Sequence, residues 1–161
     1  MSNIGEWAEA SGLLVEQDDY DKVLGAPSAG HIKLYNPGDI DTHFKLTIKF
    51  DDNGTINAGR FSIRDKKRTK MAGELSWKEF GAKPIDEKTK DSGVVFNTQT
   101  NLVEGIDENG KKTGNLYNQY VAGAFFKIPL GEWELRFTNE NDENFEPHGD
   151  RVKIEYNYYY I

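Results

Sequence analysis

Apolar and polar residues alternate in short segments along most of this chain, and turn residues separate the segments. Residues 44–50 read FKLTIKF, which places Phe, Leu, Ile and Phe on one side and Lys, Thr and Lys on the other. Residues 133–137 and 152–161 alternate in the same way. A period of two is typical of a β-strand with one buried face. The pattern therefore predicts a fold that is built from sheets.

The spacing of these segments predicts the architecture. Between residues 29 and 161, about eight strands are expected at intervals of about ten residues, with no helix between them. Residues 73–80 fit either a strand or a short helical turn. Two packed antiparallel sheets bury such strands economically, so we expect an all-β, antiparallel β-sandwich of the galectin-like or jelly-roll-like kind. Residues 1–28 are expected to form an N-terminal arm, with weak helical character over residues 6–14 and a linker after it. The alternation up to residue 161 predicts that the last strand is held inside a sheet.

Two turns are predicted from their residue types. Residues 36–39 read NPGD, in which proline fixes its own φ and Gly38 can adopt a positive φ. Residues 51–54 read DDNG, and Asn-Gly is the preferred pair for a two-residue hairpin turn. The first turn is expected to lead from one short strand into the strand at residues 44–50, and the second to lead from that strand into its hairpin partner.

Composition and motifs argue against several functional classes. The chain has no cysteine and a formal net charge of -7, which disfavours a thiolate metal site and attraction to nucleic acid or to an anionic membrane. No run of 18 apolar residues occurs, so no membrane insertion is expected either. Its three histidines have no metal-ligand spacing, and no P-loop, GxGxxG or GxSxG motif occurs. Carboxylates are abundant, but a glycosidase pair is defined by separation in space, so abundance is no evidence for one. We therefore expect no catalytic residues, no metal and no cofactor.

Aromatic residues are the remaining candidates for a binding site. Trp77, Trp133 and Tyr159 can stack on sugar rings, because the face of a pyranose is apolar, or they can pack in the core and at interfaces. A basic run at residues 64–70 and an acidic run at residues 140–146 also have two interpretations. They are either two solvated loops or complementary surfaces between neighbouring copies of the chain.

Four motifs, taken in order, resemble one known protein family. They are YNPGD at residues 35–39 before a strand, FNTQTNLVEG at residues 96–105, FKIPLGEW at residues 126–133, and the alternating aromatic strand at residues 152–161. From about residue 30 onward, this order resembles the C-terminal galectin-like domain of distal tail proteins from bacteriophages of Gram-positive hosts.

The resemblance implies a structural component of a phage tail or of a phage-derived tail-like particle, of the distal tail or baseplate type. Such a protein is made in the bacterial cytoplasm, resides in the virion tail, and acts by self-association and by docking other tail proteins within a symmetric particle. The N-terminal arm, with Trp7, Leu13 and Leu14, is then a candidate docking segment for a neighbouring subunit. The alternative function is a carbohydrate-binding module that recognises glycans on the host surface, since a fold does not by itself decide function.

Overall fold

The computed structural model describes residues 7–9, 31–50, 53–65, 67, 69–83, 90–138 and 152–160. The predicted boundary at residue 28 lies outside these residues, as do Leu13, Leu14 and the acidic run at residues 140–146. Residues 7–9, within the predicted helical stretch, form a short strand. The described strands are β1 (Trp7–Glu9), β2 (His31–Asn36), β3 (Phe44–Lys49), β4 (Thr55–Ile56), β5 (Gly59–Asp65), β6 (Met71–Trp77), β7 (Phe80–Gly81), β8 (Gly93–Asn97), β9 (Leu102–Ile106), β10 (Lys112–Leu116), β11 (Val121–Ala122), β12 (Gly131–Thr138) and β13 (Val152–Tyr159).

Two antiparallel sheets face each other. The first sheet has the order β1-β13-β3-β8-β9-β10, and the second has the order β11-β6-β5-β12-β2. Strands β4 and β7 form a separate two-stranded ladder, and residues Asn118–Tyr120 form a single 3-10 turn. This arrangement confirms the prediction of an all-β antiparallel sandwich.

Aromatic rings join the two sheets in the core. Phe61 on β5 contacts Phe96 on β8 edge to face, with ring centroids 5.4 Å apart, and it contacts Phe44 on β3 at 6.2 Å. All three side chains are buried. Edge-to-face pairs at this separation add to the stabilisation that burial of apolar area already supplies. The core therefore holds the second sheet in a fixed position over the first.

The last strand is held in the first sheet, as its alternation predicts. β13 pairs with β3 from Val152↔Ile48 to Tyr156↔Phe44, and its other edge pairs with β1. Val152, Ile154 and Tyr156 are buried, and the residues between them are more exposed. The period of two thus places one face of β13 in the core.

The predicted hairpin at residues 51–54 is wrong. β3 lies between β13 and β8 in the first sheet, and β4, the next strand along the chain, pairs with β7. Gly54 does have a positive φ of 72°, but Asn53 does not, so the two-residue hairpin geometry is absent. Both edges of β3 are occupied by strands distant in sequence, and the chain crosses here to β5 in the second sheet.

Candidate functional site

Exposed apolar side chains collect at one corner of the sandwich. Among the described residues, six large apolar side chains are exposed: Tyr35, Ile40, Met71, Leu116, Leu130 and Tyr160. Four of them belong to three neighbouring segments, at residues 35–41, 128–133 and 156–160, the first of which contacts each of the other two: Tyr35, Ile40, Leu130 and Tyr160. We call these three segments the apolar corner. Exposed apolar residues that are grouped in this way are typical of interaction surfaces, whereas single ones are ordinary.

The side chain of Asn36 holds two of these segments together. Its Nδ2 donates to the carbonyl of Ile40 at 3.0 Å and to the carbonyl of Ile128 at 3.2 Å. Its Oδ1 accepts from the backbone N–H of Gly38 at 3.1 Å. Asn36 is 1% exposed, and its bond to the carbonyl of Ile128 is buried, while the other two bonds are partly buried. The turn after β2 is consequently fixed against the segment that precedes β12.

Gly38 brings the turn against the third segment. The backbone N–H of Asp39 donates to the carbonyl of Tyr159 at 2.7 Å. A Cβ atom on Gly38 would lie 2.6 Å from that carbonyl oxygen and 2.8 Å from the nitrogen of Tyr159. Gly38 does not have a positive φ, so the predicted reason for a glycine here is wrong. The position requires glycine because two backbones approach too closely for any side chain.

Tyr156 links the two sheets at the same corner. Its hydroxyl donates to the carbonyl of Tyr35 at 3.0 Å and accepts from the N–H of Tyr35 at 2.9 Å. Tyr35 lies on β2, an edge strand whose outward backbone groups would otherwise need water or another chain. Burial raises the pKa of Tyr156 well above its usual range, so the hydroxyl remains protonated and able to donate.

Two of the three aromatic residues predicted as binding residues lie at the apolar corner. Trp133 is half-buried, and its Nε1 donates to the carbonyl of Leu130 at 2.9 Å. Tyr159 is half-buried, and its backbone carbonyl accepts the hydrogen bond from the N–H of Asp39. The backbone of Trp7, predicted as part of a docking arm, pairs with Tyr159 in the β1–β13 ladder. The structure thus brings Trp7, Trp133 and Tyr159 to one end of the molecule.

Trp77 lies elsewhere. It is 4% exposed, its ring centroid is 5.7 Å from that of Phe96, and its Nε1 donates to the carbonyl of Asn57 at 2.6 Å. These contacts place the Trp77 ring in the core, where it offers little surface for stacking on a sugar.

Sequence reasoning missed the four exposed residues of the corner. Alternation alone places Tyr160 on the buried face with Tyr156, yet Tyr160 is 41% exposed because β13 ends at Tyr159. Tyr35, by contrast, follows the alternation of β2, since it shares the exposed face with Lys33 while Ile32 and Leu34 are buried. The available signal was the pair of proline-containing turns at Pro37 and Pro129, which predict where strands end.

A buried carboxylate forms a second polar cluster. Asp91 is 1% exposed and accepts hydrogen bonds from the hydroxyls of Thr113 and Tyr117 and from Asn115 Nδ2, the last at 3.0 Å. The Tyr117 hydroxyl also accepts a hydrogen bond from the backbone N–H of Lys83 at 3.0 Å. Burial, and next the bond to Asp91, raise the pKa of Tyr117 above its usual range, which keeps it a donor. Both carboxylate oxygens are engaged by the chain itself, so we assign this cluster a structural role.

A shallow cavity of about 500 Å³ lies beside β6 and β11. Arg60, Glu74, Gln119 and Tyr120 are among its lining residues, and Arg60 Nη1 lies 3.7 Å from Glu74 Oε1. Arg60, Glu74 and Gln119 place hydrogen-bond donors and acceptors beside the ring of Tyr120, an arrangement suited to a hydroxyl-rich ligand.

Other classes of site are missing from the described part of the chain. There, no group of three or more histidine and carboxylate side chains is arranged to hold a metal ion. The same residues contain no helix with the length and apolarity needed to cross a membrane. No protein-family model, curated protein or solved structure matches this chain.

Proposed function

We propose that this protein is a structural component of a phage tail or of a phage-derived tail-like particle, and that it docks neighbouring tail proteins at the apolar corner. The observation that carries the proposal is the grouping of Tyr35, Ile40, Leu130 and Tyr160 on three segments that hydrogen bonds hold together. The order of the four motifs, which resembles that of distal tail proteins, supports the same function.

The construction of the corner suits a docking surface. Its backbone is fixed by Asn36, by Tyr156 and by the Asp39–Tyr159 bond, so little conformational entropy would be lost when a partner binds. Fully burying one large apolar side chain contributes about 1.5–3 kcal/mol. Tyrosine is also enriched at interfaces, because it combines a large apolar ring with a polar hydroxyl. The expected partners are other tail proteins and further copies of this chain in a symmetric particle, which places the protein in the virion tail.

Serine substitutions at the corner test this proposal. A Tyr35→Ser, Leu130→Ser, Tyr160→Ser variant is expected to reduce incorporation into tail particles by at least about tenfold, the effect of losing about 1.4 kcal/mol of docking free energy. The fold should be retained because all three side chains are exposed. Copies per particle are measured by quantitative mass spectrometry, and circular dichroism checks the fold.

The chain supplies a matched control for this test. Met71 and Leu116 are exposed to a similar degree but lie outside the corner, on β6 and β10. A Met71→Ser, Leu116→Ser variant is expected to be incorporated like the unaltered protein. Equal incorporation of the corner variant and the control variant would reject the corner as the docking surface.

A carbohydrate-binding module is the second candidate function. The cavity beside Tyr120 favours it, since Arg60, Glu74 and Gln119 offer donors and acceptors next to an aromatic ring. Such a module would be retained on isolated host cell walls without being a stoichiometric part of the tail.

A further inference from the structure

Strand β1 occupies only a short part of the edge to which it binds. It pairs with β13 through Trp7↔Tyr159, Ala8↔Tyr158 and Glu9↔Asn157. β13 is eight residues long, and in the described part of the chain no strand lies beside its outer edge over residues 152–156. β1 is therefore a three-residue addition at one end of an edge that can accept a strand.

The connection after β1 is long enough to reach another molecule. Residues 10–30 separate the end of β1 from the start of β2, and 21 extended residues can span about 70 Å. A domain of about 130 residues has a radius of gyration of about 14 Å and is thus roughly 35–40 Å across. The length of the connection consequently does not require β1 to bind its own copy of the chain.

The part of β13 that pairs with β1 lies next to the apolar corner. Tyr159 pairs with Trp7 in the ladder, and its carbonyl accepts the N–H of Asp39, which lies in the corner. A neighbouring copy that docks with its own apolar corner against this one would bring its β1 close to β13, because the same patch of both copies then meets. Once two copies are docked, exchange of β1 becomes in effect an intramolecular step, which a high effective concentration favours.

We propose that β1 is exchanged between neighbouring copies of this chain, so that residues 7–9 of one copy pair with residues 157–159 of the next. The inference rests on the proposed function and specifies how copies join within the particle. Exchange preserves the same three residue pairs that form within one copy, so it sacrifices no β1–β13 contact. Its consequence is a second link between copies beside the apolar corner.

Disulfide trapping tests the exchange cleanly, because the chain has no cysteine of its own. Glu9 and Asn157 are directly opposite in the ladder, a separation that a disulfide can bridge. The Glu9→Cys and Asn157→Cys single variants are mixed, concentrated and mildly oxidised. The expected product is a covalent dimer of twice 18.3 kDa that contains the 9–157 disulfide, identified by mass spectrometry of the linked peptides.

A matched control uses the opposite edge of the same sheet. Lys112 is exposed on β10, so a mixture of the Glu9→Cys and Lys112→Cys variants should give no specific linked peptide. The Glu9→Cys, Asn157→Cys double variant reports pairing within one copy. An internal disulfide in the double variant, without a mixed dimer of the single variants, would overturn the exchange. The absence of both products would also overturn it, because β1 would then not pair with β13.

The failure of the exchange and the failure of the tail function give different results. Incorporation of each single variant into purified tails is measured under reducing conditions, separately from disulfide formation. Exchange in a protein that is absent from tails would reject the tail function alone. Presence in tails without the 9–157 linkage would reject the exchange alone.

Discussion

Replacement of Asp91 by alanine is expected to lower the free energy of unfolding by about 3–5 kcal/mol, because it removes the acceptor of one buried donor and of two partly buried donors. Each buried polar group that loses its partner costs about 1–3 kcal/mol. The donors belong to Thr113, Asn115 and Tyr117, so one substitution affects all three. The alanine variant also removes the free-energy cost of burying a carboxylate, so the expected loss of stability is smaller than the sum of the three largest penalties. Equilibrium unfolding in urea measures the change.

Asp107 provides the comparison for Asp91. Its carboxylate also accepts hydrogen bonds, from the backbone N–H groups of Asn109 and Lys111, both at 2.9 Å, but these lie in an exposed loop. Asp107→Ala is expected to cost about 1 kcal/mol, the usual net value of exposed bonds that water can replace. If Asp91→Ala is no more destabilising than Asp107→Ala, the Asp91 cluster does not have the structural role assigned to it.

Gly38→Ala is expected to destabilise the fold by about 1–3 kcal/mol and to reduce docking at the apolar corner. The added Cβ would lie 2.6 Å from the Tyr159 carbonyl oxygen, a backbone atom that cannot move without disturbing β13. Relief of this clash requires separation of the turn from β13, and that motion breaks the bond from Asp39 to Tyr159. Urea unfolding and incorporation into tails measure the two effects.

Gly81→Ala is the matched control for Gly38→Ala. A Cβ on Gly81 would lie 3.4 Å from the nearest heavy atom, the carbonyl oxygen of Gly54, and Gly81 has no positive φ. The control should therefore change stability by less than about 1 kcal/mol and leave incorporation unaltered. A Gly38→Ala variant as stable as the Gly81→Ala variant would show that the turn can move away from Tyr159 at little cost.

The sheets were predictable from sequence because burial in a strand is a local, periodic property. The alternation over residues 152–161 correctly assigns Val152, Ile154 and Tyr156 to the core. It could not identify the neighbours of β13, since β3 and β1 lie far from it in sequence. For the same reason the hairpin after β3 was wrong, because a turn signal gives no information on whether both edges of the preceding strand are already paired.

The apolar corner could be predicted only in part. Trp133 and Tyr159 were recognisable as candidates from residue type, and alternation in β2 places Tyr35 on the exposed face, but the exposure of Leu130 depends on where β12 begins. Asp91 was indistinguishable from the other carboxylates of an acidic chain. A signal for its cluster was nevertheless present, since Thr113, Asn115 and Tyr117 recur with a period of two and so can share one side of an extended segment.

We propose that this protein is a structural part of a phage tail or tail-like particle. Quantitative mass spectrometry of purified particles, with the copy number of a known tail protein as the internal standard, tests it most directly. We predict a fixed whole-number ratio of copies per particle, as the symmetry of a tail requires. Absence of the protein from the particles, together with its retention on isolated host cell walls, would contradict the claim and favour the carbohydrate-binding module.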